Sequence, residues 1–124
     1  SGPYTLFAPY NTAFKKLPTR TQNTLLNGNN RQSLKNLLSA HVVEGTLDSE
    51  ALRKQINEGN GRATLRTLGG STLTAQIGTN GRIMLTDEQG GVAYVNAPDQ
   101  YGSNGVVHGV DKVLLPKAVK VPFR

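Results

Sequence analysis

The side chains of this chain that could take part in catalysis are two histidines, His41 and His108, and eight acidic residues. The two histidines are too few for a three-histidine zinc site, no cysteine is available as a thiolate ligand, and no His-Glu-x-x-His spacing occurs. His108 and Asp111 could be drawn as two members of a hydrolase triad, but no serine is marked as their nucleophile. We therefore interpret both histidines as structural and predict no metal site, no cofactor and no catalytic centre.

Three other kinds of binding chemistry also lack support in the sequence. Gly69-Gly70-Ser71 lacks the second glycine of a nucleophile elbow, so we interpret it as a turn between strands. The remaining glycines form neither a phosphate-binding loop nor a dinucleotide-binding motif. The aromatic residues lie in separate predicted elements, which disfavours a stacking platform for single-stranded nucleic acid. The sequence therefore predicts that the protein is not an enzyme and has no specific nucleic acid partner.

The first half of the chain has the periodicity of short helices. A strand over 4–8 leads into a helix over 12–17, with Asn11 as its predicted N-cap residue. Leucines recur at helical spacing over 21–26 and 31–38, and the polar run between these stretches separates two further helices.

A change of period marks the second half. A brief strand over 41–43 precedes a fourth helix, which Asp48 or Ser49 is predicted to cap. From there on, apolar residues alternate as in half-buried strands, and Asn80-Gly81 is a hairpin signal. The predicted strands cover 63–68, 73–77, 83–85, 92–97, 106–110 and 113–115. Helices followed by strands predict an α+β domain whose helices pack on a sheet.

Length and charge limit the organisation and the partners. A chain of 124 residues can bury one core, and no linker or repeat divides it, so we predict a single domain over 1–124. The net charge of +6 is concentrated at both ends of the chain. The basic residues there are Lys15, Lys16, Arg20, Arg31, Lys35, Lys117, Lys120 and Arg124. Such an excess favours anionic partners without specifying one.

Two segments far apart in the chain resemble the two signature regions of fasciclin domains. The matching residues are Thr5, Phe7, Ala8, Pro9, Asn11, Ala13 and Phe14 in the first region, and Asn104, Gly105, His108 and Asp111 in the second. Between them, 37–45 and 65–73 are similar to further segments of the family in the same order. The resemblance covers nearly the whole chain, and the two signatures together are a specific signal.

The resemblance implies an α+β fasciclin-like fold, a twisted β-sandwich or wedge with short helices packed on it, in which the signature residues are structural. Fasciclin domains usually begin with a helical segment before the first signature, and only three residues precede Tyr4 here. We therefore predict that this segment is missing, that the domain is truncated, and that an apolar face is left open. The leucines predicted to line it are at 25, 26, 34, 37 and 38. Such a face should be covered, either in a homodimer or by a helix of another protein.

The resemblance also implies a function in adhesion or protein interaction outside the cytoplasm: secreted, at the cell surface or in the periplasm, with a cell-surface or matrix protein as partner. In some animal members, integrin adhesion is associated with an Asp-Ile pair before the second signature and with a Tyr-His segment. At the matching positions Asp99 and His41 are retained, while Gln100 and Ala40 replace the Ile and the Tyr.

From this match we predict a set of partner-binding residues: Pro98, Asp99, Gln100, Tyr101 and His41. A Pro-Asp turn rich in Gly and Ser is poorly suited to burial, so Asp99 is expected to be exposed in a loop over 98–103. The alternative interpretation is a binder of acidic polysaccharide that uses the basic surface.

Overall fold

A computed structural model of the chain describes residues 2–27, 31–117 and 119. Within them the helices are α1 (Asn11–Lys15), α2 (Thr19–Leu26), α3 (Arg31–Ser39) and α4 (Ser49–Glu58). The strands are β1 (Tyr4–Pro9), β2 (Val42–Glu44), β3 (Ala63–Arg66), β4 (Thr72–Ile77), β5 (Ile83–Thr86), β6 (Val92–Gly102) and β7 (Gly105–Val110). No helix in these ranges is both long enough and apolar enough to cross a membrane.

The strands form one mixed sheet in the order β2-β1-β7-β6-β5-β4-β3. β1 and β7 run parallel, and the other neighbours run antiparallel. The sheet is curved so strongly that its two edge strands approach each other. Val43 in β2 forms an antiparallel bridge with Thr67, which follows β3. The α+β prediction is confirmed, and the sandwich is a single sheet bent into a barrel-like shape.

The predicted helices are present, and their N-terminal caps differ from each other in mechanism. Asp48 caps α4 as predicted, because its Oδ1 accepts a hydrogen bond of 2.9 Å from the Ala51 amide. The prediction that Asn11 caps α1 is wrong. Tyr10 occupies the N-cap position with extended backbone (ψ 160°), so Asn11 already lies in the first turn and no side chain caps this helix. Part of the predicted break between α2 and α3, residues 28–30, lies outside the described residues.

The prediction of a strand over 113–115 is also wrong. Its alternating side chains are buried on opposite sides, but the backbone pairs with no strand among the described residues. Two buried side chains accept its amides instead: His41 Nε2 lies 2.9 Å from the Leu114 nitrogen, and Asp87 Oδ2 lies 2.8 Å from the Leu115 nitrogen. These bonds satisfy backbone N–H groups that would pair with a neighbouring strand if the segment belonged to a sheet. The apolar segment can therefore pass through the interior without regular secondary structure.

Two apolar clusters make up the core, and 113–115 contributes to both of them. The larger cluster lies between α4 and the sheet, and includes Phe7, Leu52, Ile56, Leu85 and Leu114. The smaller one holds the first three helices to the C-terminal segment through Leu17, Leu25, Leu37, Val113, Leu115 and Val119. Full burial of one such leucine or phenylalanine contributes about 1.5–3 kcal/mol, so both clusters stabilise the arrangement of the sheet and helices.

The leucines predicted to line an open face do not all lie on one. Leu25 and Leu37 are buried in the smaller cluster, so the prediction is wrong for these two. Leu26 and Leu38 are exposed, and Leu34 is half-buried. The helical periodicity is the same for both groups, but among the described residues Leu25 and Leu37 pack against the C-terminal segment and Leu26 and Leu38 do not.

Candidate interaction site

The second half of β6 carries the residues predicted to contact a partner. The pairing of β6 with β7 shifts register between Val95 and Ala97 and again between Ala97 and Gln100. Asp99 has a positive φ of 62°, a backbone conformation that Asp and Asn tolerate better than most residues. The prediction of a loop over 98–103 is therefore wrong for its first part, because bulges let the strand continue through Gly102.

Asp99 is half-buried and faces the start of α4, which corrects the prediction that it is exposed. Its Oδ1 accepts a bond of 2.7 Å from the Ser49 amide, and its Oδ2 accepts the Ser49 hydroxyl. Burial alone would raise the pKa of Asp99, but the two bonds from Ser49 and the nearby His108 and Arg53 lower the pKa overall. The carboxylate is thus ionised and held at the N-terminus of a helix, where negative charge is stabilised.

His108 is the buried support beneath Asp99. Its side chain is 0% exposed, its Nδ1 accepts the Asp99 amide at 3.1 Å, and its Nε2 donates to the Leu47 carbonyl at 2.7 Å. The ring also stacks on Phe7, with the ring centres 5.5 Å apart. Both ring nitrogens are occupied by backbone groups, so His108 is structural, and Asp111 instead accepts the Tyr94 amide at 2.8 Å. The two do not form a catalytic pair.

Thr5 extends this support to the first strand. It is fully buried, and its hydroxyl donates to the Gly45 carbonyl at 2.7 Å while accepting the Leu47 amide at 2.7 Å. Leu47 is thus held by Thr5 through its amide and by His108 through its carbonyl. One residue from each signature fixes the segment that leads into α4.

Tyr101 is the most exposed large side chain of this region. It is 66% exposed, and its hydroxyl donates to Asp48 Oδ2 at 3.0 Å. The bond to Asp48, together with the negative charges of Asp48, Asp99 and Glu50, raises the pKa of Tyr101. The phenol therefore stays protonated and lies against the cap of α4 with its ring open to solvent.

His41 does not belong to this surface, which corrects its placement among the partner-binding residues. It is 4% exposed; Nδ1 donates to the Leu37 carbonyl at 2.8 Å, and Nε2 accepts the Leu114 amide. Burial lowers the pKa of His41, although the Leu37 bond and the charge of Asp87 partly oppose this. The neutral ring donates one hydrogen bond and accepts another, and so it links α3 to the segment 113–115 inside the domain.

The other signature residues lie where the two signature strands meet. Pro9 ends β1 opposite Val110, and the Asn104 carbonyl accepts the Tyr4 amide at 3.0 Å. Gly105 pairs with Tyr4 at a φ of 139°. Phe14 packs half-buried against the smaller core cluster. These roles are structural, and none brings reactive groups together.

Sequence reasoning missed several polar residues that the fold brings together. Ser49 and Arg53 of α4 line one cavity with Arg82 and Pro98, which come from later parts of the chain. Asp87 is buried and accepts the amides of Gln89, Gly91 and Leu115. A usable signal for Asp87 was its position before a Gly-Gly turn, since Asp side chains often bond to amides two residues on. In the part of the chain that the structure describes, no three acidic or histidine side chains are grouped so that they could hold a metal ion.

Comparison with protein families gives one match, which spans most of the chain. The Fasciclin domain model matches residues 1–116. Transforming growth factor-beta-induced protein ig-h3 of Sus scrofa is 32% identical over 98% of this chain, and this chain covers 16% of that protein. Protein sll1483 of Synechocystis is 35% identical over 93% of this chain, which covers 56% of it. The chain therefore spans little more than half, or less, of these relatives.

The fold has a counterpart among solved structures. A domain pair from the insect cell adhesion molecule Fasciclin I superposes with a TM-score of 0.73, at 25% identity, over 90% of this chain and 36% of that one. The structural match shows that the mixed sheet with short helices is the fold of a fasciclin domain.

Proposed function

This chain belongs to the fasciclin domain family, and we propose that it works as a non-enzymatic adhesion or protein-interaction module outside the cytoplasm, as a secreted, cell-surface or periplasmic protein. Fasciclin I, whose domain pair shares this fold, is a cell adhesion molecule. Both histidines of this chain are engaged by backbone groups, so neither is free to act as a general base. These observations favour binding over catalysis.

We place the partner-binding surface on the outer side of β6, at Pro98, Gln100 and Tyr101. All three are exposed, while Asp99 between them is tied to α4. The observation that carries this proposal is the exposed ring of Tyr101 held by its bond to Asp48. Tyrosine is enriched at the energetic centres of interfaces, and a ring that is already oriented loses little entropy on binding. A cell-surface or matrix protein is the expected partner.

Tyr101→Ala is expected to weaken binding to a protein partner by about tenfold or more, because truncating an aromatic anchor commonly costs about 2 kcal/mol. The measurement is surface plasmon resonance with the immobilised domain and a panel of purified matrix proteins, fibronectin and type I collagen among them. Tyr101→Phe keeps the ring but loses the bond to Asp48 that orients it, so its affinity should lie between that of the unchanged domain and that of Tyr101→Ala.

Leu26→Ala is the matched control for this prediction. Leu26 lies on α2 and is 64% exposed, close to the 66% of Tyr101, so its truncation removes a similar apolar surface elsewhere. Equal losses of affinity in Leu26→Ala and Tyr101→Ala would argue against Pro98, Gln100 and Tyr101 as the binding surface. If no protein of the panel binds, the protein-interaction proposal itself fails for these partners.

Acidic polysaccharide is the alternative partner, and one observation favours it. Lys16 after α1 and Lys112 after β7 line the same cavity of about 220 Å³, so basic residues from the two ends of the chain converge. Among the other basic residues of the C-terminal end, Lys120 and Arg124 lie outside the described residues. Two lysines supply charge without a fixed geometry, so this surface supports general rather than specific binding.

We also propose a homodimer as a further partner, through an apolar groove of about 410 Å³ between α3 and β2. Leu34, Leu38 and Val42 line the groove, and Leu6 lies opposite Val42 on the neighbouring strand. Leu38 is 61% exposed, and its burial against a second copy would be favourable. Sedimentation equilibrium should show concentration-dependent dimers that Leu38→Glu abolishes. A monomer up to high micromolar concentration would contradict this.

A further inference from the structure

One cleft that is lined in part by Pro98 contains two arginines that come from different elements. The cleft encloses about 270 Å³, close to the lower end of small-ligand pockets. Arg53 comes from α4, and Arg82 directly precedes β5. The residues that line the cleft are Ser49, Arg53, Asn80, Gly81, Arg82, Ile83, Val95, Asn96 and Pro98.

Both guanidinium groups are held in fixed positions. Arg53 Nη2 donates to the Gly81 carbonyl at 2.8 Å. Arg82 Nη1 donates to Asn96 Oδ1 at 2.8 Å, and its guanidinium carbon lies 4.2 Å from the centre of the Tyr94 ring. A guanidinium that is already oriented loses less freedom when it binds a ligand than a mobile lysine does.

The two arginines retain unused hydrogen-bond donors. Each guanidinium has five N–H groups, of which one is bonded in each case among the described residues, and the buried Nε of Arg82 has no acceptor. No carboxylate forms an ion pair with either group in this part of the chain, although Asp99 lies near enough to Arg53 for the two charges to interact. Asp99 is already bonded to Ser49, so neither arginine that lines the cleft has a carboxylate bonded to it among the described residues.

The remaining lining favours a hydroxyl-rich ligand. Asn80 and Asn96 are exposed, and Asn96 uses only its carbonyl oxygen, so amide donors are available at the rim. Pro98 with the buried Val95 and Ile83 provides a small apolar side, against which the C–H face of a sugar ring could lie. A protein side chain would use the arginines alone, whereas a uronic acid residue would use the arginines, the amides and the apolar side together.

We infer that this cleft binds the carboxylate of a uronic acid residue in an acidic polysaccharide. This inference rests on the alternative partner proposed above and gives it a site. The cleft shares Pro98, but not Tyr101, with the proposed protein contact, and it shares no lining residue with the cavity of Lys16 and Lys112. The carboxylate would pair with the free edges of Arg53 and Arg82, and the ring hydroxyls would bond to the amides of Asn80 and Asn96.

The test is titration of the domain with tetragalacturonate, followed by isothermal calorimetry and by the amide resonances of residues 80–82 and 96. Binding is expected, with shifts confined to the cleft. The fully methyl-esterified tetramer should bind about tenfold more weakly or worse, because it cannot form charge-assisted bonds. Arg82→Gln and Arg53→Gln should each weaken binding of the acid by about tenfold.

Two variants serve as controls. Arg62→Gln makes the same change of net charge at an exposed residue that does not line the cleft, and it should change the affinity less than about twofold. Lys16→Gln removes a charge from the other basic cavity and should weaken binding less than Arg53→Gln does. The inference is overturned if the ester binds as well as the acid, if either control variant weakens binding as much as Arg53→Gln, or if no binding occurs at millimolar concentration. Equal binding of a tetraglutamate peptide would also overturn it, because the cleft would then recognise charge and not sugar.

Discussion

His108→Ala is expected to lower the free energy of unfolding by about 4 kcal/mol. The substitution removes a fully buried ring that stacks on Phe7, and it leaves the Leu47 carbonyl and the Asp99 amide without partners. Truncation of a buried aromatic side chain costs about 3–5 kcal/mol, and a buried polar group that loses its partner costs about 1–3 kcal/mol. Urea denaturation followed by circular dichroism measures the change.

Two companion variants separate the contributions of His108. His108→Gln keeps one donor and one acceptor in a side chain of similar reach. It should therefore lower the free energy of unfolding by about half as much as His108→Ala does. Glu58→Ala at the exposed end of α4 should change stability by less than about 0.5 kcal/mol. A loss below about 1 kcal/mol for His108→Ala would show that the histidine does not support the segment before α4.

The fold could be predicted from the sequence where its signals are local. Helical spacing of leucines, the capping residue Asp48 and the Asn80-Gly81 turn act within a few residues of where they stand, and the structure places helices, cap and turn there. The failure at Asn11 has a local cause as well. Two adjacent residues could take the N-cap position, and the extended backbone of Tyr10 takes it without any side-chain bond.

The candidate site could not be predicted in the same way, because its bonds join residues that are distant along the chain. Asp99 contacts Ser49, which is 50 residues away, and His108 contacts Leu47 across 61 residues. A Pro-Asp pair beside Gly and Ser has the composition of a loop, and only the shifted pairing with β7 keeps it in a strand. The segment 113–115 shows the opposite case, in which strand-like alternation is satisfied by His41 and Asp87 and not by a ladder.

These long-range bonds show that residues of the two signature regions hold the same segment, the one before α4. Thr5 from the first and His108 from the second hold Leu47 from two sides, and the parallel pairing of β1 with β7 sets their positions. The segment before α4 then fixes Ser49, and Ser49 fixes Asp99 beneath the exposed Tyr101. The proposed interaction surface therefore depends on how closely β1 and β7 approach at their first pair, Tyr4 and Gly105.

Gly105→Ala is expected to destabilise the domain by at least about 3 kcal/mol, or to prevent folding altogether. Gly105 has a φ of 139°, and a Cβ built on it would overlap the carbonyl oxygen of Tyr4. That oxygen belongs to the backbone of β1, so relief requires the two signature strands to move apart. The free energy of unfolding in urea gives the size of the effect, and amide exchange of β1 and β7 locates it.

Gly61→Ala is the matched control, because Gly61 also has a positive φ, of 99°, but has no atom within 4 Å of an added Cβ. Both substitutions place an alanine at a positive φ, which is unfavourable, and only Gly105→Ala adds the overlap with Tyr4. Gly105→Ala is therefore expected to lose more stability than Gly61→Ala. Because the strands that carry the overlap also position Asp99, Gly105→Ala should weaken partner binding at Tyr101 in whatever fraction remains folded, and Gly61→Ala should not. Equal losses of stability in the two variants would contradict the close approach of β1 and β7 as the origin of the glycine requirement.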